Sequence, residues 1–335
     1  MANLLVVAPA WVGDAVLAHP LLKRLKARDP ACTIDVLAPP WTRAVFERMP
    51  EVAAVHDAPF AHGQLAWGRR RALARELAQR GYTQAIVLPN SFKSALVPWL
   101  AGIPRRTGYL GEARWWLLND ARRLDKQALP LMVERFAALA EEPAAPVRAL
   151  APAALAVDDA ARTHTLARLG LTLAKPVAVL CPGAEYGEAK RWPVEYFAEI
   201  ARRFAAAGWQ VWIAGSPKDA AVGATIAAAA PGAVDLCGKT TLAEAIDLLS
   251  CAGHFVTNDS GLMHIAAALE RPLTALYGSS SPAFTPPLSE QARILRTGID
   301  CSPCFERVCP RGHFKCMREL APDAVWRAID IGGDA

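Results

Sequence analysis

Residues 3–27, NLLVVAPAWVGDAVLAHPLLKRLKA, decide the fold. The run 3–9 is apolar and β-branched, the composition of a strand buried on both faces. From 14 to 27 the apolar residues return at helical spacing. Between the two stands Gly13. A glycine at a strand-to-helix turn usually lets backbone N–H groups approach a phosphate. Here Asp14 follows it, and a carboxylate repels a phosphate. Asp14 reads either as a helix N-cap, a role Asp favours, or as a general base at a strand end.

The alternation continues along the chain. Strands are predicted at 33–38, 52–56 and 83–88, with helices at 40–49 and 64–80. The Ala/Pro-rich stretch EEPAAPVRALAPAALAV, 141–157, reads as a linker. Strands follow at 177–183, 209–215, 254–258 and 272–278, with helices at 193–207, 218–229, 241–251 and 261–269. Alternating β and α elements imply parallel sheets with right-handed crossovers. The expectation is an α/β protein of two Rossmann-like domains, 1–155 and 156–335, facing across a cleft. Ligands in such sheets sit at the carboxyl ends of strands.

A chain of 335 residues that is 53% hydrophobic has material for two filled cores. No stretch approaches the roughly 18 apolar residues of a membrane span. The start MANLLVVAPAW lacks the basic beginning of a signal peptide, so a soluble cytosolic protein is expected. Residues 69–126 carry twelve basic side chains against four acidic ones. That surplus reads as a solvated face or as a surface for an anionic partner. Nucleic acid is not favoured, because no nucleic-acid-binding motif lies there.

Three further stretches sit at strand ends. In CPGAEYGEAKRWP, 181–193, Lys190 could neutralise a leaving diphosphate. In NDSGLMHIAAAL, 258–269, Asp259 or Ser260 can cap a helix. Gly261 leaves its start open to a phosphate, and His264 lies on the first turn. In IAGSPKD, 213–219, Asp219 reads as a ribose-binding acid or as a carboxylate favoured by the helix dipole. G-x-G-x-x-G, G-x-x-x-x-G-K-[ST] and G-x-S-x-G are all absent. This argues against a dinucleotide dehydrogenase, a P-loop enzyme and an α/β-hydrolase.

Taken with VLPNSFKSALVPWLAGIPRRTGYLGE (87–112) and LMVERF (131–136), these stretches resemble glycosyltransferase family 9, the bacterial lipopolysaccharide heptosyltransferases. The likeness runs to about residue 289. The wording of WVGD and NDSGLMH is more like members that add the second heptose than the first. The resemblance implies a GT-B fold and an inverting, metal-independent transfer. L-glycero-D-manno-heptose would pass from ADP-heptose to the heptosyl-Kdo-lipid A inner core. It implies Asp14 as the catalytic base and Lys190 beside the donor diphosphate. Asp259, Ser260, Gly261 and His264 would bind the donor, Asp219 the ribose and Thr240 the adenine pocket. The acceptor is phosphorylated and carboxylated, so Lys93, Arg105 and Arg106 are its candidate ligands. Peripheral contact with the inner leaflet of the cytoplasmic membrane is expected. Alternatives are transfer to another inner-core position, a GT-B nucleotide-sugar epimerase, or an interaction module on an inactive transferase fold.

Eight cysteines divide in two. Cys32, Cys181, Cys237 and Cys251 read as inert core thiols. Cys301, Cys304, Cys309 and Cys316 form a cluster with His313. In a cytosolic protein that density favours metal over disulfide, and a structural zinc on four thiolates, or on three and His313, is the expectation. A redox pair or unbound thiols are the alternatives.

Overall fold

The computed structural model describes residues 2–60, 63–143, 145–147 and 149–329. The chain divides into two compact units between Ala153 and Ala154. The boundary read from sequence lies two residues later. The difference arises at Leu155, whose N–H donates to the Ala268 carbonyl (3.0 Å) and ties the chain into the second unit. Ala144 and Arg148 of the predicted linker lie outside the described residues.

The first unit holds β1 (Asn3–Val7), β2 (Thr33–Ala38), β3 (Ala54–Asp57), β4 (Gln84–Val87), β5 (Arg105–Tyr109) and β6 (Asp120–Arg122), all parallel. Their order across the sheet is β3-β2-β1-β4-β5-β6. Leu5 and Val6 of β1 are fully buried, as both faces of a parallel sheet require. Each such side chain contributes roughly 1.5–3 kcal/mol on burial. The helix expected over 14–27 is two, Val12–Leu17 and His19–Arg28. Pro20 breaks it, because proline lacks the N–H and its ring clashes with the carbonyl four residues back.

The second unit holds β7 (Val177–Cys181), β8 (Gln210–Ile213), β9 (Val234–Asp235), β10 (His254–Asn258), β11 (Leu273–Leu276) and β12 (Ala292–Leu295), also parallel. Its order is β12-β11-β10-β7-β8-β9. Numbered within each unit, both sheets run 3-2-1-4-5-6. Strand order reverses between β1 and β4 in the first unit and between β7 and β10 in the second. In open α/β sheets that reversal is where ligands bind. Among the described residues no helix is long and apolar enough to cross a membrane.

Candidate functional site

At the reversal point of the second unit, β7 ends in Pro182-Gly183, and the chain then loops to a 3-10 turn, Glu188–Lys190. Beside it β10 ends at Asn258. The Asn258 side chain laces the two strand ends together. Its Nδ2 donates to the Pro182 carbonyl (2.8 Å) and its Oδ1 accepts from the Trp192 N–H (3.1 Å). This places Lys190 Nζ 2.5 Å from Asp259 Oδ2. The lysine side chain is 16% exposed and the aspartate 4%. Burying a carboxylate that deeply is costly unless a cation is paired with it. The Tyr186 ring lies 5.0 Å from the ammonium on another side.

Ser260 occupies the N-cap of helix Gly261–Ala268, yet neither it nor Asp259 caps the helix through its side chain. This corrects the capping expectation. The first N–H groups of the helix are left for another acceptor. Ser260 Oγ and His264 Nδ1 are buried without a hydrogen-bond partner. Burial lowers His264 to about 4, with Asp259 opposing and Lys190 assisting, so the imidazole is neutral at ordinary pH. Two orphaned polar atoms beside an uncapped helix start and a buried ion pair are what a polar ligand would satisfy.

Asp219 lies at the end of β8's loop, where it closes a capping box with Ser216. Its Oδ2 accepts from the Ser216 N–H (2.9 Å) and Oγ (2.7 Å). Oδ1 is 3.7 Å from Arg191 and is the oxygen left for another partner. Gly183 is required here, because an added Cβ would stand 2.5 Å from Oδ2. Thr240 is half-buried, one residue before Thr241, which caps helix Leu242–Leu249.

At the reversal point of the first unit, Asp14 is the third residue of helix Val12–Leu17 and is half-buried. Trp11 occupies the N-cap, so the capping reading of Asp14 is corrected. Lys93 is the second residue of helix Phe92–Leu100, which follows β4. Arg105 and Arg106 both have partners within the unit. Both lie on β5, an edge-proximal strand that sequence reading left as surface. Arg105 donates to Asp120 Oδ2 (2.9 Å), and Arg106 donates to the Leu117 and Ile103 carbonyls (2.7 and 2.6 Å). Arg70 is buried against the Lys93 and Leu65 carbonyls. Much of the basic surplus is therefore spent inside the unit.

Sequence reading missed Arg114. It is fully buried, and its guanidinium donates to the carbonyls of Tyr109, Pro89 and Ser91 and to Asn90 Oδ1 and Ser94 Oγ. Burial lowers it to about 10. It fixes the loop that presents Lys93. The signal in the sequence is a lone arginine in EARWW, which nothing distinguishes from its exposed neighbours.

The four clustered cysteines are free thiols and line one cavity of about 250 Å³ with His313. Among the described residues no three His, Cys, Asp or Glu side chains are placed to hold a metal ion. Burial raises the Cys316 thiol to about 11, and Cys304, Cys301 and Cys309 stand near enough to add to the rise. Of the expected core thiols Cys32, Cys181 and Cys237 are buried and Cys251 is half-buried. Burial raises Cys181 to about 12 and raises Cys32, Cys237 and Cys251 as well.

Two Rossmann-like units with a carboxylate at one reversal point and a lysine–carboxylate pair at the other define a glycosyltransferase of the GT-B kind. The chain belongs to glycosyltransferase family 9 (heptosyltransferase), whose model matches residues 70–315. It is 48% identical to lipopolysaccharide heptosyltransferase 2 of Escherichia coli strain K12, over 98% of this chain and 97% of the relative. It is 45% identical to lipooligosaccharide heptosyltransferase 2 of Haemophilus influenzae, over 88% of each. The solved structure of E. coli ADP-heptose lps heptosyltransferase II superposes with a TM-score of 0.87 at 42% identity, covering 97% of this chain and 98% of that one.

Proposed function

We propose that this glycosyltransferase moves L-glycero-D-manno-heptose from ADP-heptose to the heptosyl-Kdo-lipid A inner core, with inversion at the anomeric carbon. The observation that carries the reading is the Lys190–Asp259 pair (2.5 Å) beside an uncapped helix start and the unpartnered Ser260 Oγ and His264 Nδ1. The second unit holds the donor. The diphosphate meets Lys190 and the N–H groups that begin at Gly261, and the ammonium offsets the charge that grows as ADP leaves. Asp259 and Ser260 take sugar hydroxyls. Neutral His264 offers one ring nitrogen, Asp219 offers Oδ1 to the ribose, and Thr240 lines the adenine side.

The first unit holds the acceptor. Asp14 takes the proton from the acceptor hydroxyl as its oxygen attacks the anomeric carbon, the C–O bond to the diphosphate breaks, and ADP departs. An inverting transfer needs this one base. A glycosidase places two carboxylates across the bond. Lys93, with Arg105 and Arg106, is proposed for the acceptor's anionic groups. Exposed Trp67, Trp115 and Trp116 stand in the same unit as exposed Arg69, Arg71 and Arg75. Indole rings suit the headgroup level, and each basic residue near an anionic leaflet adds about 1 kcal/mol. They support peripheral contact with the inner leaflet from the cytoplasmic side.

The test is a transfer assay. Purified protein is mixed with ADP-heptose and with Kdo-lipid A carrying no heptose or one, and product mass is measured. The expected result is one added heptose on the mono-heptosylated acceptor alone. Addition to the bare acceptor alone would move the assignment to the first position, and addition to neither would contradict heptosyl transfer.

A further inference from the structure

The turn that carries Lys190 is bound along its length to the cysteine-rich segment. The Tyr186 hydroxyl donates to the Phe305 carbonyl (2.6 Å), and the Ala189 N–H donates to the Arg307 carbonyl (3.0 Å). Gly187 passes so close to Arg307 that an added Cβ would overlap its backbone. On its other side Phe305 donates its N–H to the Ser279 carbonyl (2.6 Å). Phe305 holds this position at φ 58°, the left-handed region that costs a bulky residue energy. Strain of that kind persists only where surrounding contacts enforce it. The segment is therefore built onto the lysine turn.

The Arg307 side chain is exposed and stands 5.2 Å from the centroid of the Tyr186 ring, the same ring that Lys190 approaches at 5.0 Å. Two cations share one aromatic ring, an attraction that holds each of them in place. Lys190 and Asp259 together carry no net charge, so the pair alone leaves a diphosphate largely uncompensated. Arg191 is already engaged, donating to the Ala184 carbonyl and lying 3.7 Å from Asp219. Among the described residues Arg307 forms no ion pair. We infer that Arg307 is a second cation of the donor-diphosphate site, carried by the cysteine-rich segment and steadied on Tyr186 beside Lys190. A guanidinium gives two parallel N–H donors to phosphate oxygens, which suits the β-phosphate that leaves. The inference rests on the donor reading above.

The test is calorimetric titration of ADP and of AMP into the whole protein and its Arg307→Ala, Arg307→Lys and Arg311→Ala variants, with melting curves to check folding. The backbone ties of residue 307 survive in all of them. Arg307→Ala is expected to weaken ADP roughly tenfold and AMP little, since one charge-assisted contact to the β-phosphate is lost. Arg307→Lys should recover part of that loss, and Arg311→Ala should bind as the parent does. Unchanged ADP affinity in Arg307→Ala, or equal weakening of ADP and AMP, would overturn the inference while leaving the donor reading intact. A parent protein that binds neither nucleotide would overturn the donor reading and this inference with it.

Discussion

The two units share a strand order and place unlike chemistry at the same topological point. Where order reverses in the first, β1 leads into a six-residue helix whose third residue, Asp14, is half-buried. Where it reverses in the second, Asp259 follows β10, is almost wholly buried, and is held by Lys190. One residue is half-buried and is the proposed base. The other is desolvated and fixed. A base must exchange a proton and so must be reachable. A residue that orients a ligand does better when its own rotamer is locked. The difference between the acids comes from what each sheet sets beside them.

Removing the lysine should break that contrast most severely. Lys190→Ala leaves Asp259 buried and uncompensated, and on the proposed donor site it removes the cation set beside the leaving group. A fall of roughly 10²–10³ in kcat/KM is expected, read by coupled ADP release. Lys190→Ala combined with Asp259→Asn should recover stability in a melt but not turnover. If the single variant turns over normally, the pair is structural.

Arg114→Met tests whether the first unit's reversal point is organised from within. It abandons carbonyls of Tyr109, Pro89 and Ser91 that the guanidinium now satisfies. A loss of about 3 kcal/mol in urea unfolding is expected. ADP affinity should be retained, because the second unit does not contain the residue. Loss of ADP binding in a folded variant would count against the division of labour.

His264 sharpens the comparison through pH. Its folded value of about 4 lies below the ordinary 6.5, chiefly through burial. The unfolded chain therefore binds the proton more readily. The neutral ring's contribution is whole above pH 6.5 and is lost as pH falls toward 4. The loss is on the order of 3 kcal/mol, measured as midpoint shifts across that window. His264→Asn should flatten this part of the profile, and an unchanged slope would contradict it. The smallest effect belongs to the surface. Trp115→Ser with Trp116→Ser should weaken binding to anionic vesicles several-fold without altering ADP affinity. Equal vesicle binding would remove the membrane role from these rings.

The reach of the sequence follows the same contrast. β7 is an unbroken apolar run, β1 is apolar after Asn3, and β10 is wholly buried although His254, Thr257 and Asn258 are polar; the loops after them could be read directly because buried strands leave little choice of structure. β5, RRTGY, was hidden because its arginines look like surface, yet their guanidiniums fold back onto the Leu117 and Ile103 carbonyls and Asp120. β6 and β9 span three and two residues, too short for a periodic signal, and β12, ARIL, is a half-exposed edge strand broken by Arg293. Lys190 and Asp259 were visible as residues at strand ends. Their pairing was not, because it depends on Asn258 lacing two strands 76 residues apart in sequence. The cysteines suggested a zinc grip by their density and spacing, and the structure gathers all four with His313 around one cavity, with no set of three ligands arranged for a metal among the described residues.

The most direct measurement takes Asp14→Asn and records, on one preparation, its turnover with ADP-heptose and acceptor and its affinity for ADP. The account predicts turnover reduced roughly 10³-fold, the loss of a general base, with ADP affinity unchanged. Turnover within a few-fold of the parent, or ADP affinity that falls in step with turnover, would contradict the assignment of proton transfer to the first unit and donor binding to the second.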